Sequence, residues 1–316
     1  MTLRKKILND IATGQFISGD ALAKCYGVSR AAINQHIQAL KGNGLEIHAV
    51  RGRGYRLSQP IVLLDGDKIS LATDRVVEVL DSIDSTNDEI KRRLADAVVS
   101  PDYLLAEMQN RGRGRQGKTW LAAPYQSILA TRCWRHDCIN QDVSGLSLVV
   151  GIAVMRVLRA RGISSCGLKW PNDVLVDDAK LGGILIEMSG ELDGVVDIVI
   201  GFGLNVSLPV SLRKLCDRKI TDLQSHSSEQ IDRNELMVEL IHSLDGVLSE
   251  FSRGGFSRFA QEWQDYHYYQ FKTIQIQQPN RSIEGVAMGV DGRGALIVKS
   301  TAGDMIHITT GEVFAL

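Results

Sequence analysis

The chain has 316 residues, of which 36 are Lys or Arg and 37 are Asp or Glu, and 44% of its residues are hydrophobic. This length is sufficient for about two or three domains, each with its own core. No apolar run approaches the roughly 20 residues that span a bilayer, and Met1–Lys6 opens an amphipathic pattern rather than a signal core. We therefore exclude a membrane protein and expect a cytoplasmic globular one.

Charge is unevenly distributed along the chain. Residues 1–60 contain nine Lys or Arg but only three Asp or Glu, so the acidic excess lies in the remainder. Ser18 and Ser29 are predicted caps of two helices, and Gly27 suits the end of the first. In the second helix Ile33, Ile37 and Leu40 recur at helical spacing and predict its buried stripe. This is the pattern of a helix-turn-helix.

A predicted hairpin follows the second helix, with Arg51-Gly52-Arg53-Gly54 at its tip, which makes the unit a winged helix. Its basic charge favours DNA binding over the alternative of a small helical domain that binds protein or nothing. Amides on the exposed helix face can read base edges, and arginines can contact phosphate. The predicted DNA-contacting residues are Ser29, Arg30, Ala31, Asn34, Gln35, Arg51 and Arg53. Gln59-Pro60 marks the end of the unit.

The next segment alternates between predicted strands and polar turns. A strand over 76–80 leads into Asp84-Ser85-Thr86-Asn87, ahead of a helix over 88–95. Ser85 or Thr86 could be a simple helix cap, or these hydroxyls and the Asn87 amide could bind a small polar ligand; local sequence leaves both open. Strands over 104–108 and 127–134 flank a Gly/Arg loop, and the apolar stretch 145–161 predicts a buried helix.

The segment Gly112–Thr119 matches both the phosphate-loop pattern and G-x-G-x-x-G. Both motifs require a helix directly after the loop, whereas this segment runs into a bare turn ending at Pro124. We therefore interpret it as a flexible strand-to-strand lid whose Arg113 and Arg115 bind an anion. Lys118, essential in a phosphate loop, is expected to matter least.

Two lysines are predicted to lie near one another further along the chain. Lys169 precedes a turn at Pro171-Asn172, and Lys180 begins a strand over 180–187. A lysine pair beside Trp170 and an Asn-Asp turn is typical of a site for an anionic substrate. A strand over 195–203 then ends near Asn205.

The five cysteines include Cys133 and Cys138, which lie close to His136. Alternate residues of a strand point to opposite faces, so reduced unpaired thiols are favoured over a metal site. Short strands over 273–277, 282–289, 295–300 and 305–308 predict a small C-terminal barrel.

Together these motifs resemble those of the biotin–protein ligases. In chain order they are Asp84-Ser85-Thr86-Asn87, Gln109, Gly112-Arg113-Gly114-Arg115-Gln116-Gly117, Lys169-Trp170-Pro171-Asn172-Asp173, Lys180-Leu181-Gly182-Gly183-Ile184 and Gly203-Leu204-Asn205. Because a winged helix precedes them, the chain is similar to the bifunctional bacterial form, which is both ligase and biotin operon repressor. The resemblance implies an α+β fold: a winged helix-turn-helix over 1–60, a class II synthetase-like mixed sheet with helices over 65–268, and an SH3-like barrel over 269–316.

The resemblance also implies a set of site residues. Lys180, Arg115 and Arg113 would be catalytic, and Asp173 would bind Mg²⁺. Biotin or its adenylate would be bound by Ser85, Thr86, Asn87, Gln109, Gly112, Arg113, Gly114, Arg115, Lys169, Asn172, Lys180, Gly182 and Asn205. The segment 213–221 would cover the adenylate, although Lys219 stands where the family has an aromatic residue. Glu312 falls in a matching Gly-Glu element.

The implied small molecules are biotin as substrate, with ATP and Mg²⁺ as co-substrate and ion, and no tightly bound prosthetic group. The implied partners are biotin carboxyl carrier protein, operator DNA of the biotin genes and a second copy of the chain when the adenylate is bound. We expect that dimer to use the Gly/Arg loop and a sheet edge over Glu191–Val199. The alternatives are a lipoate ligase, a non-catalytic biotin sensor and a phosphate-loop NTPase.

Overall fold

Three separate sheets divide the computed structural model of the chain, which describes residues 2–137, 143–189 and 195–316. The N-terminal unit contains α1 (Leu3–Ile11), α2 (Gly19–Tyr26), α3 (Arg30–Gly42), β1 (Ile47–Val50) and β2 (Gly54–Leu57). The hydroxyls of Ser18 and Ser29 each accept a hydrogen bond from the backbone N–H three residues on, and Gly27 ends α2 with a φ of 64°. The predicted winged helix and both of its caps are confirmed.

The core of this unit contains the predicted stripe of α3, whose three apolar side chains are fully buried. It also contains a residue from outside the unit, Tyr125, which is 1% exposed. The hydroxyl of Tyr125 donates to Asp81 Oδ1 at 3.0 Å. The winged helix therefore packs around a side chain that the following domain supplies.

The central unit is built on a seven-stranded mixed sheet with helices on both faces. Its elements are α4 (Gly66–Thr73), β3 (Val77–Leu80), α5 (Thr86–Ala95), β4 (Tyr103–Ala106), β5 (Ser127–Asp137), α6 (Leu146–Ala160), β6 (Cys166–Lys169), β7 (Asp173–Val176), β8 (Ala179–Ser189), β9 (Val195–Asn205), α7 (Val210–Leu215), α8 (Arg233–Gly254) and α9 (Ala260–Tyr266). The strand order is β3-β4-β5-β9-β8-β7-β6, with β3 and β4 parallel and the other pairs antiparallel. The main apolar core lies between this sheet and helices α6 and α8. A smaller cluster under α5 covers the other face.

The sheet order corrects one expectation about the surface of the molecule. Strand β9 is hydrogen-bonded to β5 on one side and to β8 on the other over Val195–Val199. This segment is therefore an interior strand and not a sheet edge, and residues 191–194 of the expected dimer surface lie outside the described residues.

The C-terminal unit is a five-stranded antiparallel sheet in the order β13-β12-β11-β10-β14. Its strands are β10 (Thr273–Gln278), β11 (Arg281–Val290), β12 (Leu296–Ser300), β13 (Met305–Ile308) and β14 (Glu312–Ala315). The first four were predicted and β14 was not. In β14, Val313 pairs with Ile276 and is 1% exposed. The unit is joined to the central one by Trp170, whose indole N–H donates to Gly294 O at 3.0 Å.

The linker between the first two units is held by polar side chains of the central unit. Arg233 donates to Val62 O at 2.9 and 2.6 Å, and Asn234 donates to Leu63 O at 3.0 Å. The carboxylate of Glu107 accepts from Leu64 N–H and lies 2.7 Å from Arg233 as an ion pair that is at most 2% exposed. A buried ion pair is stable only when other hydrogen bonds complete it, and the linker backbone provides them.

We expect a buried histidine to make stability depend on pH. His267 is 6% exposed, and burial lowers its pKa from 6.5 to about 4, against an opposing hydrogen bond to Gln270. The unfolded chain binds the extra proton between these pKa values, so stability is present above pH 6.5 and is lost as the pH falls to about 4.

From pH 7 to 4, the free energy of unfolding of the native chain should fall by about 3 kcal/mol more than that of His267→Gln. Urea denaturation at a series of pH values measures this difference, with exposed His48→Gln as the control. Parallel pH curves for the native chain and His267→Gln would contradict the assignment.

Candidate active site

A cavity of about 360 Å³ lies where the lid, the ends of the central strands and the C-terminal sheet meet. Most of the residues predicted to bind ligand line it: Ser85, Thr86, Asn87, Gln109, Arg113, Gly114, Arg115, Lys169, Asn172, Asp173, Lys180 and Asn205. The sequence did not single out several others on the wall: Trp120, Leu129, Ile184, Leu185, Phe202, Leu215 and Arg218. The cavity thus combines a polar end, an apolar wall and a cluster of cations.

Gly112 and Gly182 were predicted to bind ligand but do not line this cavity. A Cβ on Gly112 would lie 2.8 Å from Trp120 O, and one on Gly182 would lie 2.3 Å from a methyl of Leu204. Both contacts are closer than van der Waals separation. The two glycines therefore allow close packing behind the site.

The polar end of the cavity is the N-terminus of α5. Ser85 is its cap, since its hydroxyl accepts from Asp88 N–H at 3.4 Å. Thr86 donates to Gln109 Oε1 from its backbone N–H at 2.8 Å and from its hydroxyl at 2.9 Å. Ser85, Thr86 and Asn87 are each 4% exposed and still line the cavity. The two interpretations of this segment, cap and ligand contact, are therefore compatible.

Two cations in the cavity have no carboxylate within ion-pair distance in the part of the chain that the structure describes. Arg115 makes one hydrogen bond, to Asn172 Oδ1 at 3.3 Å, and burial lowers its pKa. Burial also lowers the pKa of Lys169, which lies 5.5 Å from the ring of Phe314. A buried cation without a partner is costly, so both positions favour an anionic ligand.

Lys180 and Arg113 are placed differently from these two cations. Lys180 Nζ lies 2.6 Å from Asp173 Oδ1 and 5.4 Å from the ring of Trp120. Arg113 is paired with Asp88 at 2.5 Å and with Glu187 at 3.2 Å. The two arginines of the lid therefore differ: Arg115 faces the cavity without a carboxylate, whereas Arg113 fastens the lid to α5 and β8.

The lid has no helix after its glycines, as the sequence indicated. A single 3-10 turn over Arg115–Gly117 is followed by extended and turn residues up to the start of β5. Gln116 adopts a left-handed conformation with a φ of 55°. The phosphate-loop geometry is therefore absent from this segment.

Lys118 has a definite partner, contrary to its expected unimportance. Its Nζ lies 2.5 Å from Glu312, which also pairs with Arg218 at 2.7 Å. Burial opposes ionisation of Glu312, yet these two cations hold its pKa below the usual value. Glu312 thus joins three separate segments at the mouth of the cavity: the lid, the loop after α7 and β14.

The loop after α7 ends beside Lys180. The backbone N–H of Lys180 donates to Lys219 O at 2.9 Å, and Thr221 N–H donates to Lys180 O at 3.0 Å. Leu215, at the start of the loop, lines the cavity and is 73% exposed. An apolar side chain is therefore present at the opening even though Lys219 replaces the expected aromatic residue.

The residues around Asp173 can accommodate a magnesium ion that is bound mainly by phosphate. Among the described residues no group of three His, Cys, Asp or Glu side chains could hold a metal by itself. Mg²⁺ in nucleotide sites typically takes one or two carboxylates and keeps water and phosphate oxygens as its other ligands. Asp173, on the wall of the cavity, fits that requirement. The cysteine cluster cannot be assessed, because Cys138 and the side chain of His136 lie outside the described residues.

The predicted DNA-contacting residues all lie exposed on the winged helix. Arg30 pairs with Asp20 at 3.1 Å, and Asn34 Oδ1 accepts from the hydroxyl of Tyr55 at 3.5 Å. Arg53, at the wing, lies 4.5 Å from the ring of Phe16. The recognition helix and the wing therefore present one continuous polar and basic surface.

Comparison with known families identifies each of the three units. An HTH domain matches residues 4–56, the biotin/lipoate A/B protein ligase family matches residues 79–205, and the biotin protein ligase C terminal domain matches residues 271–316. These matches define a biotin or lipoate ligase that carries a DNA-binding domain.

Whole-chain relatives make the assignment more specific. The chain is 35% identical to the bifunctional ligase/repressor BirA of Salmonella typhimurium, over 94% of this chain and 93% of the relative, and 34% identical to that of Escherichia coli over 98% of each. The chain therefore belongs to the family of bifunctional biotin ligase/repressors.

Solved structures show the same fold. A biotin protein ligase from Aquifex aeolicus, in complex with biotin and ATP, is 24% identical and superposes with a TM-score of 0.63 over 75% of this chain and 97% of its own. Within the described residues, no helix is long and apolar enough to cross a membrane.

Proposed function

We propose that the chain activates biotin with ATP to form biotinoyl-5′-AMP, transfers biotin to a lysine of biotin carboxyl carrier protein, and represses the biotin operon with the adenylate as co-repressor. The observation that carries this proposal is the division of one cavity into a polar end and a cationic end. Biotin presents a ureido ring at one end and a carboxylate at the other, and ATP adds further anionic charge beside that carboxylate. The cavity matches this distribution of polar and charged groups.

In the first half-reaction a biotin carboxylate oxygen attacks the α-phosphorus of ATP, and pyrophosphate leaves. Two anions must approach each other, so the barrier is largely one of charge and position. Arg115, Lys169 and Lys180 are fixed around the cavity before the substrates arrive, and Lys180 is the cation we assign between carboxylate and α-phosphate. Asp173 would hold Mg²⁺, which supplies charge neutralisation for the departing pyrophosphate.

In the second half-reaction the lysine amine of the acceptor attacks the acyl carbon of the adenylate, and AMP leaves. The adenylate is a mixed anhydride that water destroys, so the lid must exclude solvent until the acceptor arrives. The ion pairs of Arg113 and Lys118 hold the lid at two ends of the cavity. They leave Arg115 available for the adenylate.

Exchange of labelled pyrophosphate into ATP tests the activity directly. The native chain should catalyse this exchange only when biotin is present, because reversal requires the enzyme-bound adenylate. Lipoate is the control substrate for the related ligases. Biotin binding without exchange would identify a non-catalytic sensor, and exchange with lipoate but not biotin would identify a lipoate ligase.

We expect Arg115→Gly to form the adenylate more slowly and to release it faster than the native chain. Removing one preorganised cation from such a site typically costs about 10²-fold in rate. The matched control is Arg111→Gly, which makes the same change at an exposed position of the same loop. Rapid gel filtration of the preformed complex measures the lifetime of the bound adenylate. Equal lifetimes in the two variants would remove Arg115 from the site.

We expect the adenylate to increase both self-association and binding to a duplex from upstream of the biotin genes. Paired half-sites match a two-fold dimer, so both quantities should rise together. Gln35→Ala should weaken operator binding about 10-fold, as loss of one base contact does, with pyrophosphate exchange unchanged. Sedimentation and gel-shift titration provide the measurements, with an unrelated duplex as control. An unchanged mass on addition of adenylate would contradict the dimer.

A further inference from the structure

A buried hydrogen-bonded cluster lies directly behind the polar end of the cavity, and its deepest member is Thr131 on β5. Thr131 is 0% exposed. Its hydroxyl lies 2.7 Å from Asn87 Oδ1 and 2.8 Å from Thr86 Oγ1. Beyond Asn87, Glu187 on β8 accepts from the Asn87 amide at 2.9 Å. Neither Thr131 nor Glu187 has a role in the chemistry proposed above.

Glu187 determines which way the Asn87 amide points. The Asn87 NH₂ group donates to Glu187 and, at 3.4 Å, to Leu185 O, and both of these partners can only accept. Burial works against the charged form of Glu187, but hydrogen bonds from Lys91 and Asn87 keep its pKa below the usual value. Asn87 Oδ1 must therefore face Thr131.

This orientation decides where two hydroxyl protons go. Asn87 Oδ1 has no proton to give, so the single proton of Thr131 is donated to it. The proton of Thr86 then has two neighbouring acceptors inside the protein, Thr131 Oγ1 and Gln109 Oε1. In either case it is used internally, and Thr86 can offer only a lone pair to the cavity.

The same reasoning applies to Gln109. Its Oε1 accepts from the backbone N–H of Thr86, so its NH₂ group is the end that remains. In the described residues that NH₂ group has no acceptor, and Gln109 lines the cavity. The cavity thus presents an acceptor, Thr86, and a donor, Gln109, whose identities cannot be exchanged.

We infer that Thr131, oriented through Asn87 by Glu187, is a positioning residue that makes Thr86 an obligate acceptor for a ligand N–H. The ligand class is a cyclic urea or amide that presents an N–H next to a C=O. This inference rests on the proposed function, since the ureido ring of biotin is the group of that kind in the assigned substrate.

The test compares Thr131→Val, which removes the hydroxyl at nearly constant volume, with Thr131→Ser, which keeps it. Without the hydroxyl, Asn87 Oδ1 is left unpaired and Thr86 loses one of its two internal acceptors. Thr131→Val should therefore bind biotin about 10-fold more weakly by calorimetry. Thr131→Ser should remain within about twofold of the native chain.

A second ligand separates positioning from general damage. Biotin methylated at the ureido nitrogen cannot donate there, and a site built around that N–H should bind it about 100-fold more weakly than biotin. We expect this ratio to fall to about 10-fold in Thr131→Val and to be kept in Thr131→Ser. Urea denaturation of both variants checks that they are folded, and their KM for ATP should not change.

An unchanged ratio in a folded Thr131→Val variant would overturn the inference and leave the ligase function intact. If the native chain itself failed to bind biotin, the proposed function would fail together with the inference. A Thr131→Ser variant that loses the ratio as fully as Thr131→Val would also overturn it, because the hydroxyl would then not be the cause.

Discussion

Buried positive charge without a carboxylate partner is the constraint on which the arrangement of the site depends. Arg115 and Lys169 both lose hydration in the cavity, and burial lowers the pKa of each. Pairing them with internal carboxylates would relieve that cost, yet the carboxylates nearby are already used: Asp173 by Lys180, and Glu312 by Lys118 and Arg218. The unrelieved charge is what gives the empty cavity its preference for anions, because a bound anion contributes the missing neutralisation.

The segments that close the cavity are held by ion pairs that are partly exposed to solvent. Pairs of this kind contribute only up to about 1 kcal/mol each, and salt weakens them. The side chains of Lys118 and Arg218 are 45% and 50% exposed in their pairs with Glu312. The closed arrangement is therefore weakly favoured without ligand and easily reversed, as a lid that must admit substrates and an acceptor protein requires.

Local patterns predicted most of the fold and collected most of the site. Caps and apolar periodicity located α2, α3 and the central strands because those signals depend on neighbours three or four residues apart. What local patterns missed depends on contacts between distant segments. Strand β14 is too short to be recognised without its partner β10. The pairing of Lys118 with Glu312 joins residues 194 positions apart, and the polarity of Thr86 depends on β5 and β8. Motif matching likewise treated Arg113 and Arg115 as equivalent, whereas neighbouring carboxylates separate their roles.

The end of the lid and the DNA-binding unit share one buried residue, which places sensing and repression in direct contact. Tyr125 follows the lid at once, and its side chain belongs to the core of the winged helix. Its backbone N–H donates to Glu107 O at 2.9 Å, and Glu107 also holds the linker through Leu64. Buried cores are close-packed and resist small displacements, so the winged helix cannot move independently of the lid's C-terminal end. The free energy that the adenylate contributes by ordering the lid is therefore available to the orientation of the recognition helix, with a single side chain and a clamped linker between them.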